Sequence, residues 1–393
     1  MAESRNPMMT SARDLHILIA HFLPHVVSGA ERSIADLVEE LDARIAVTML
    51  VPGEGRLADF YRGRGLDVWV REVTTPRRLF PGLHEWQSRL FARQLQAAGF
   101  NMVIANTFAA AGRVRTAARL AGLPLGIYVR EVISDKPLHR EILAQADLLM
   151  VISRDLQQYI GRLADPSKIR LTYNYINPRP ILERVELHQR SGRRSLPYPR
   201  RTPVVGLVGR ITPWKQQDVF IRAIPLILEE FPECRFVIAG RADENDRPYE
   251  EGLHRLAHQL GLEDYLTFMG ERQDAIELTS ELTVSALTST REPLGRVILE
   301  AHLVGTPVVV PSAGGPAEIV EDGVTGLHFD ASAPDAVEQF ASQVMRLLGD
   351  ETLRACLIER ARERVLETFA GRKHITIQQD CFLELAAKKG GRA

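Results

Sequence analysis

The chain has 393 residues, of which 45% are hydrophobic and 25% charged, and its formal net charge is −1. This length is sufficient for two ordinary domains, each with its own core. A charge so close to zero gives no overall electrostatic attraction to nucleic acid, so we expect no nucleic-acid partner.

The three cysteines, Cys234, Cys356 and Cys381, lie far apart and have no metal-binding spacing. We therefore expect reduced thiols in a cytoplasmic protein. The N-terminus lacks the basic and then apolar order of a signal peptide, and no apolar run approaches the roughly 18 residues of a membrane helix. We expect no membrane span, whereas peripheral contact with a membrane stays open.

The first predicted strand is LHILIA at 15–20, followed by a loop that contains His21 and His25. Ser28 and Glu31 have the spacing of a capping box, which predicts a helix start at Ser28. A helix N-terminus that follows a buried strand and a loop is a potential anion site.

Apolar runs continue at 47–51, 67–73, 102–107, 126–130, 148–153 and 168–173, mostly separated by helical or Gly/Pro segments. This alternation predicts a parallel, doubly wound α/β sheet, and we place a first domain at 14–186. Within it, the segment TTPRRLFP at 74–81 sets two arginines, Arg77 and Arg78, beside Leu79 and Phe80. We predict a solvated loop here, and contact with an acceptor or an anionic membrane surface is the alternative.

A polar and strongly basic stretch at 187–201 predicts an exposed linker with a solvated charge run, and a second domain follows at 202–371. Its first strand, at 203–209, precedes Arg210 and Lys215, which is one of only six lysines in the chain. Two cations at the carboxyl edge of a sheet are suited to neutralising a leaving diphosphate. Further strands are predicted at 234–240, 266–270 and 307–311, and helices at 334–348, 351–369 and 374–387.

Two common phosphate motifs are absent around Lys215. A P-loop needs Gly-Lys followed by Ser or Thr, whereas Lys215 lies between Trp214 and Gln216. The glycines at 206 and 209 lack the GxGxxG spacing of a dinucleotide fingerprint. These patterns argue against P-loop kinases and dehydrogenases.

The segment 290–326 combines two carboxylates with a predicted helix start at Pro293. The amides of Leu294, Gly295 and Arg296 are expected in the first helical turn, where they attract phosphate. Glu300 falls in the apolar part of the same helix, and a buried carboxylate there suits a ligand with hydroxyl donors.

This segment resembles the retaining glycosyltransferases of family 4, which have the GT-B fold. The resemblance lies in Glu292 and Glu300 with seven residues between them, in the PLG after Glu292, in EAHLVGTPVV, and in the GG and EIVEDGVTGL that follow. It implies two Rossmann-like, doubly wound parallel-sheet domains that face each other across a cleft. The first would bind the acceptor and the second the nucleotide sugar, and a C-terminal helix at 372–393 would pack back on the first.

The resemblance also implies roles for the donor-site residues. Glu292 would hold a hydroxyl of the donor sugar, and Glu300 would accept both ribose hydroxyls. Arg210, Lys215 and the amides near Gly295 would stabilise the departing diphosphate without a metal ion. The remaining donor-site assignments are Glu271, Leu294 and Arg296.

Several positions depart from the family pattern. Gln216 stands where a glycine usually follows the lysine. Ser28 and Gly29 stand where the family has a glycine pair that approaches the donor or the acceptor. Gly29 therefore remains a donor-binding candidate. Arg130 and Glu131 occupy the place of the family's histidine and acid, so we take both as catalytic candidates. A structural ion pair of Arg130 is the alternative.

The expected function is therefore retaining transfer of a hexosyl group from a nucleotide-diphosphate sugar to a hydroxyl acceptor, with no cofactor and no metal. His21, His25 and Glu131 are candidates for the acceptor side. A nucleotide-sugar epimerase of the same fold and a catalytically silent sugar-nucleotide-binding partner subunit are the alternatives. The sequence does not identify the sugar, the nucleotide or the acceptor.

Overall fold

A computed structural model describes residues 15–25, 27–73 and 81–388. These residues form two compact units. The first contains the described residues up to Ile152, residues 157–172 and the described residues from Lys373 onward; the second contains residues 153–156 and 173–372. The basic segment with Arg77, Arg78, Leu79 and Phe80 lies outside the described residues.

The first unit is built on a seven-stranded sheet in the order β3-β2-β1-β4-β5-β6-β7, in which all neighbours are parallel. The strands are β1 (Leu15–Ala20), β2 (Ile45–Val51), β3 (Asp67–Val70), β4 (Met102–Ala105), β5 (Leu125–Val129), β6 (Leu148–Val151) and β7 (Ile169–Leu171). The helices are α1 (Gly29–Glu39), α2 (Arg56–Arg62), α3 (Pro81–Ala97), α4 (Phe108–Leu120), α5 (Pro137–Gln145) and α6 (Arg154–Ile160), whose first residues belong to the second unit.

The second unit contains a six-stranded sheet in the order β10-β9-β8-β11-β12-β13, again parallel throughout. Its strands are β8 (Val204–Val208), β9 (Arg235–Ala239), β10 (Leu266–Gly270), β11 (Val284–Ala286), β12 (Val308–Pro311) and β13 (Leu327–Phe329). The helices are α7 (Pro178–Ser191), α8 (Gln217–Glu230), α9 (Arg247–Gln259), α10 (Ala275–Ser280), α11 (Arg296–Val304), α12 (Gly315–Ile319), α13 (Ala336–Gly349) and α14 (Glu351–Thr368), while the last helix of the chain, α15 (Arg372–Ala387), packs in the first unit apart from its first residue.

The two parallel sheets confirm the predicted doubly wound α/β class. Central strands such as β4 and β6 are buried along their whole length, as continuous apolar runs covered on both faces require. Two short strands, β11 and β13, were not predicted because each has only three residues. Both nevertheless belong to the sheet, since β11 pairs with β8 and β12, and β13 pairs with β12.

Both sheets reverse their strand order beside their first strand, between β1 and β4 and between β8 and β11. In open parallel sheets, ligands bind beyond the carboxyl ends of the strands at such a reversal. The loops that leave β8 and β11 therefore mark where the candidate site of the second unit is expected.

The predicted boundary at 186 and the linker at 187–201 differ from the structure, because residues from Tyr173 onward pack in the second unit. Helix α7 starts at an Asn177 cap with proline in its first turn and runs to Ser191. Arg184 Nη2 lies 2.7 Å from Glu277 and His188 Nε2 lies 2.7 Å from Glu281, so α7 is tied to α10.

The basic run after α7 is also more than a solvated charge run. Arg194 Nε lies 3.1 Å from Glu281, and the side chain of Leu196 is buried. Polar composition alone could not reveal these contacts with residues more than 80 positions away.

Helix α15 packs on the first sheet. Tyr128 donates a hydrogen bond to Gln378, and Arg170 makes a two-pronged contact with Glu384, with Nη2 2.8 Å from Oε1. A Cβ at Gly126 of β5 would lie 3.0 Å from the side chain of Leu385. The helix therefore completes the core of the first unit.

Candidate functional site

The centre of the second-unit site is an ion pair between Lys215 and Glu292. Lys215 Nζ lies 2.8 Å from Glu292 Oε2, and the two side chains are only 12% and 11% exposed. Ser289 donates a second hydrogen bond to the same carboxylate oxygen at 3.2 Å. The Lys215 ammonium also lies 4.6 Å from the centre of the Trp214 ring. A cation and a carboxylate are thus held together at the carboxyl edge of the sheet.

The loop after β11 positions this pair. Thr288 is buried and donates to the backbone carbonyls of Lys215 and Gln216, at 2.8 and 2.9 Å. Thr290 bonds the carbonyl of Trp214 through its backbone amide and its hydroxyl. The turn that carries Lys215 is therefore fixed by hydrogen bonds from the β11 loop.

Gln216 has a left-handed backbone, with φ of 47°, and is the only residue other than glycine with a positive φ among the residues described. An L residue in this region is strained because its Cβ crowds the following carbonyl. This backbone geometry explains why the family that the sequence resembles usually has glycine at this position. The adjacent Gln217 is fully buried and donates to the carbonyl of Arg210 at 3.0 Å.

Helix α11 starts at Arg296, three residues later than the sequence predicted from Pro293. Gly295 is the N-cap residue with φ of 96°, a conformation that favours glycine, and among the described side chains none caps this end. Of Leu294, Gly295 and Arg296, only Arg296 belongs to the helix. The expected anion site therefore uses the amides of Arg296 and the residue after it.

The loop before α11 packs closely on the turn after β12. A Cβ on Gly315 would lie 2.3 Å from the Cα of Leu294, and the Gly315 amide donates to the Glu292 carbonyl at 3.0 Å. Only glycine permits this approach of two backbones. Gly314 is the N-cap residue of α12, which begins with Gly315 and Pro316.

Glu300 is paired within its own helix. Arg296 Nε lies 2.8 Å from Glu300 Oε1 at the i, i+4 spacing, and the side chains are 10% and 15% exposed. Glu300 is therefore a largely buried carboxylate, as predicted. Its charge is balanced by Arg296, which was expected in the first turn of the same helix.

Arg210 and Glu271 lie at the more exposed rim of the second unit. Arg210 Nη1 is 2.9 Å from Asp243, with side chains 51% and 55% exposed. Glu271 follows β10 and lies 3.5 Å from Arg241 Nε. Both side chains follow carboxyl ends of strands, as predicted.

In the first unit, the capping box at the start of α1 is present. The Ser28 hydroxyl accepts from the Ala30 amide, and Glu31 Oε2 accepts from the Ser28 amide at 2.9 Å. Burial raises the pKa of Glu31, but the hydrogen bond and charge of His21 and the hydrogen bonds from Ser28 outweigh it and lower the pKa to about 2. Gly29 is the first residue of this helix.

His21 is buried between two side chains. Its Nδ1 lies 3.9 Å from Glu31, and its Nε2 lies 3.1 Å from the hydroxyl of Tyr61. Its contacts thus lie within the first unit, whereas His25 is exposed.

Arg130 and Glu131 follow β5 in the first unit. The Arg130 guanidinium lies 4.3 Å from the centre of the Tyr128 ring, and Glu131 is exposed. Arg130, Glu131 and Gly29 thus belong to the first unit together with His21 and His25, and the remaining predicted site residues belong to the second.

Three residues of the site were not selected from the sequence: Thr288, Ser289 and Gln217. The signal that points to the first two is the short apolar run at 284–287, which ends in Thr288 and Ser289 just before the β11 loop reaches Glu292. Gln217 carries no sequence signal beyond its position two residues after Lys215.

Within the described ranges, His, Cys, Asp and Glu side chains form no group of three that is able to hold a metal ion. Among the same residues, no helix has the length and apolar character needed to cross a membrane.

Two family models match the chain. The model described as Glycosyltransferase Family 4 matches residues 27–179, and the model described as Glycosyl transferases group 1 matches residues 189–364. Together they cover most of both units.

Curated relatives include the lipopolysaccharide core biosynthesis glycosyltransferase LpsE of Rhizobium meliloti (strain 1021), which is 29% identical over 65% of this chain and 69% of its own. A D-inositol 3-phosphate glycosyltransferase of Stackebrandtia nassauensis is 30% identical over 52% of this chain and 48% of its own. The match to this second relative spans about half of its length.

Solved structures have the same fold. HepE of Anabaena, in complex with UDP and glucose, superposes with a TM-score of 0.77 and 24% identity over 95% of this chain and 100% of its own. The sucrose-phosphate synthase of Thermosynechococcus elongatus gives a TM-score of 0.73 with 18% identity over 95% and 100%. Two parallel Rossmann-like sheets, the pair of matching family models and these neighbours lead to one conclusion: the chain belongs to the group 1 glycosyltransferases with the GT-B fold.

Proposed function

We propose that this protein transfers a hexosyl group from a nucleotide-diphosphate sugar to a hydroxyl acceptor, with retention of the anomeric configuration and without a metal ion. The observation that carries the proposal is the pairing of Lys215 with Glu292 beside the N-terminus of α11. Support for a UDP-type donor comes from HepE, whose structure contains UDP and glucose.

The two residues of the ion pair would contact different parts of the donor, Lys215 its diphosphate and Glu292 its sugar. A diphosphate that arrives at the α11 terminus would attract the Lys215 ammonium, because the diphosphate carries two negative charges and Glu292 carries one. Glu292 would then accept a hydroxyl of the donor sugar, with Ser289 still donating to it. The pairing of the two residues keeps both charges compensated until the donor binds.

We propose that Glu300 likewise exchanges its contact with Arg296 for a contact with the donor. The carboxylate would accept the ribose hydroxyls of the nucleotide while Arg296 remains at the helix terminus near the phosphates. Arg210 would add positive charge at the rim of the same edge, Glu271 would lie near the base, and Leu294 and Gly295 would shape the loop around the diphosphate.

In the reaction, the bond between the anomeric carbon and the diphosphate oxygen breaks as the acceptor oxygen bonds to that carbon on the same face. The diphosphate departs with the bonding electrons and takes the acceptor proton. Stabilisation of the leaving charge by Lys215 and the helix amides is the main contribution of the protein. Arg130 and Glu131 are proposed to contact the acceptor.

A cytoplasmic location completes the proposal. All three cysteines are free, and burial raises the pKa of Cys234 to about 12 and of Cys381 to about 11. Three free thiols fit a reducing compartment, and the raised pKa values make the two buried thiols poorly reactive.

The test is calorimetric titration of the protein with UDP, GDP, ADP and dTDP in buffer that contains EDTA. Binding of one nucleotide at micromolar strength, followed by turnover of its sugar derivative with a retained anomeric configuration by NMR, is expected. Conversion of a sugar nucleotide in the absence of any acceptor would instead identify an epimerase, and the lack of any nucleotide binding would contradict the proposed donor site.

A further inference from the structure

A cavity of about 140 Å³ lies in the first unit, between helices α3 and α4 and the segment that follows β3. Its wall includes Arg71, Trp86, Leu90, Phe91 and Arg113. A volume of this order is sufficient for one six-membered ring. Arg71 directly follows the carboxyl end of β3, so the cavity is near the edge of the sheet where ligands of parallel sheets bind.

Arg71 is a partly buried cation that has no carboxylate partner among the described residues. It donates a hydrogen bond to the neutral side chain of Gln94, and its guanidinium lies 4.6 Å from the centre of the Phe91 ring. Its Nε is buried and lacks a hydrogen-bond partner. Burial lowers the pKa of Arg71, because the desolvated charge is not compensated. An anion in the cavity would supply the missing charge.

Arg113 adds a second guanidinium to the same wall. It is held by a hydrogen bond of 3.0 Å from Nη1 to the carbonyl of Phe22 and lies 4.1 Å from the centre of the Phe22 ring. Glu72 also lines the cavity, but it is exposed and leaves an excess of one positive charge. Two guanidinium groups around one small cavity repel each other, and a bound anion relieves this repulsion.

Two apolar side chains of the cavity lining are open to solvent. Trp86 is 60% exposed and Leu90 is 39% exposed, although both belong to α3, which packs against α4. An exposed indole next to a cationic cavity offers a flat apolar face to a ring that carries a charged group.

We propose that this cavity is the acceptor subsite and that it selects an acceptor whose sugar-like ring carries an anionic group, a phosphate or a carboxylate. Arg71 and Arg113 bind the anion, and Trp86 contacts the face of the ring. The proposal rests on the function proposed above, since it names the class of hydroxyl acceptor for that reaction.

The test compares three probes by calorimetry: glucose 6-phosphate, methyl glucuronide and the neutral methyl glucoside, each titrated in the presence of saturating UDP. We expect at least one anionic probe to bind about tenfold more tightly than the neutral probe, the scale of one charge-assisted contact. The two anionic probes distinguish a phosphate from a carboxylate acceptor.

Three variants test whether Arg71 causes the preference for anionic probes. R71Q should reduce the anionic preference to within about threefold, whereas R71K should keep part of it because the charge remains. The control is R89Q, which removes an arginine of α3 that is 64% exposed, pairs with Glu85 and does not line the cavity. Thermal unfolding of each variant identifies a loss of fold.

Equal binding of the neutral and anionic probes, no binding of either anionic probe at millimolar concentration, or a loss of preference in R89Q as large as in R71Q would overturn the inference. If the protein gives any of these results but still binds UDP, the proposed donor site stands and only the proposed acceptor class is rejected. Anionic preference without UDP binding supports the cavity and contradicts the donor proposal.

Discussion

Lys215 and Glu292, which are 77 positions apart in the sequence, form an ion pair of 2.8 Å that is almost fully shielded from water. Neither charge is stable alone at such a site, because removing one partner leaves the other desolvated and uncompensated. In the proposed donor site, the pair would therefore link the stability of the second unit to the binding of a diphosphate.

Lys215→Ala is expected to weaken binding of the nucleoside diphosphate by about 2–3 kcal/mol, the scale of a lost charge-assisted contact. The same variant should also lower the free energy of unfolding, because Glu292 loses its cation. The double variant Lys215→Ala with Glu292→Gln removes the buried charge, so it should recover stability without recovering nucleotide affinity. Calorimetry and urea unfolding separate the two effects, and unchanged nucleotide affinity in Lys215→Ala would remove this residue from the donor site.

Glu300→Ala is expected to weaken binding of the nucleotide about tenfold while leaving the affinity for inorganic pyrophosphate unchanged, because only the nucleotide has ribose hydroxyls. Parallel titrations with the nucleotide and with pyrophosphate measure this difference. Glu338→Ala, on an exposed position of α13, is the control for loss of a carboxylate from the same unit. Equal losses for nucleotide and pyrophosphate would assign Glu300 to the phosphates through Arg296 instead of to the ribose.

Gln216→Gly is expected to raise the free energy of unfolding by about 0.5–1 kcal/mol, since glycine adopts the left-handed backbone at this position without the strain of a side chain. The entropy that glycine adds to the unfolded chain offsets part of the gain. Gln343→Gly inside helix α13 should lower stability by about 1 kcal/mol and is the matched control. Urea unfolding of both variants checks the sign, and a destabilised Gln216→Gly would show that contacts of the glutamine side chain outweigh the strain.

His302→Met is expected to make the second unit less sensitive to acid. Burial and the charge of Arg364 lower the pKa of His302 to about 3 against the partial opposition of a Thr325 backbone contact. Because the folded pKa lies below the unfolded value, the neutral form stabilises the fold above about pH 6.5, and this contribution falls progressively as the pH approaches 3.

Between pH 7.5 and pH 5.5, His302 takes up a proton in the unfolded chain and stays neutral in the folded one. This difference lowers the free energy of unfolding by about 1 kcal/mol, because one pKa unit corresponds to about 1.36 kcal/mol. Chemical unfolding from pH 7.5 to pH 5 measures it, and the His302→Met variant should lose less stability over this range than the parent protein. His258→Met, at an exposed histidine, is expected to behave like the parent. Identical slopes for the parent and His302→Met would show that His302 is not desolvated in solution.

Much of the architecture follows from local sequence patterns. The run LHILIA forms β1 over the predicted residues, because a continuous apolar segment between helices is buried on both faces of a parallel sheet. The run LTFMG forms β10 over the predicted residues at the edge of the second sheet. The capping box at Ser28 and Glu31 needs only residues three apart, and it is present. Elements defined by neighbours in the chain are thus predictable.

Short or marginal elements were not predictable in the same way. Strand β11 has three residues and becomes a strand through its pairing with β8 and β12. The first turn of α11 was placed three residues too early, because proline at 293 is compatible with a helix start but the close packing of Leu294 on Gly315 forces a loop.

Local sequence patterns establish the parallel α/β class, the resemblance to a glycosyltransferase family and the chemical types of the candidate donor-site residues, because these depend on periodicity and on short motifs. The packed fold alone reveals which charges meet: Lys215 pairs with Glu292, α7 pairs with α10, and Arg71 has no carboxylate partner among the described residues. Ion pairing and desolvation depend on distances between residues far apart in the chain, and those distances exist only once the sheets and helices have packed.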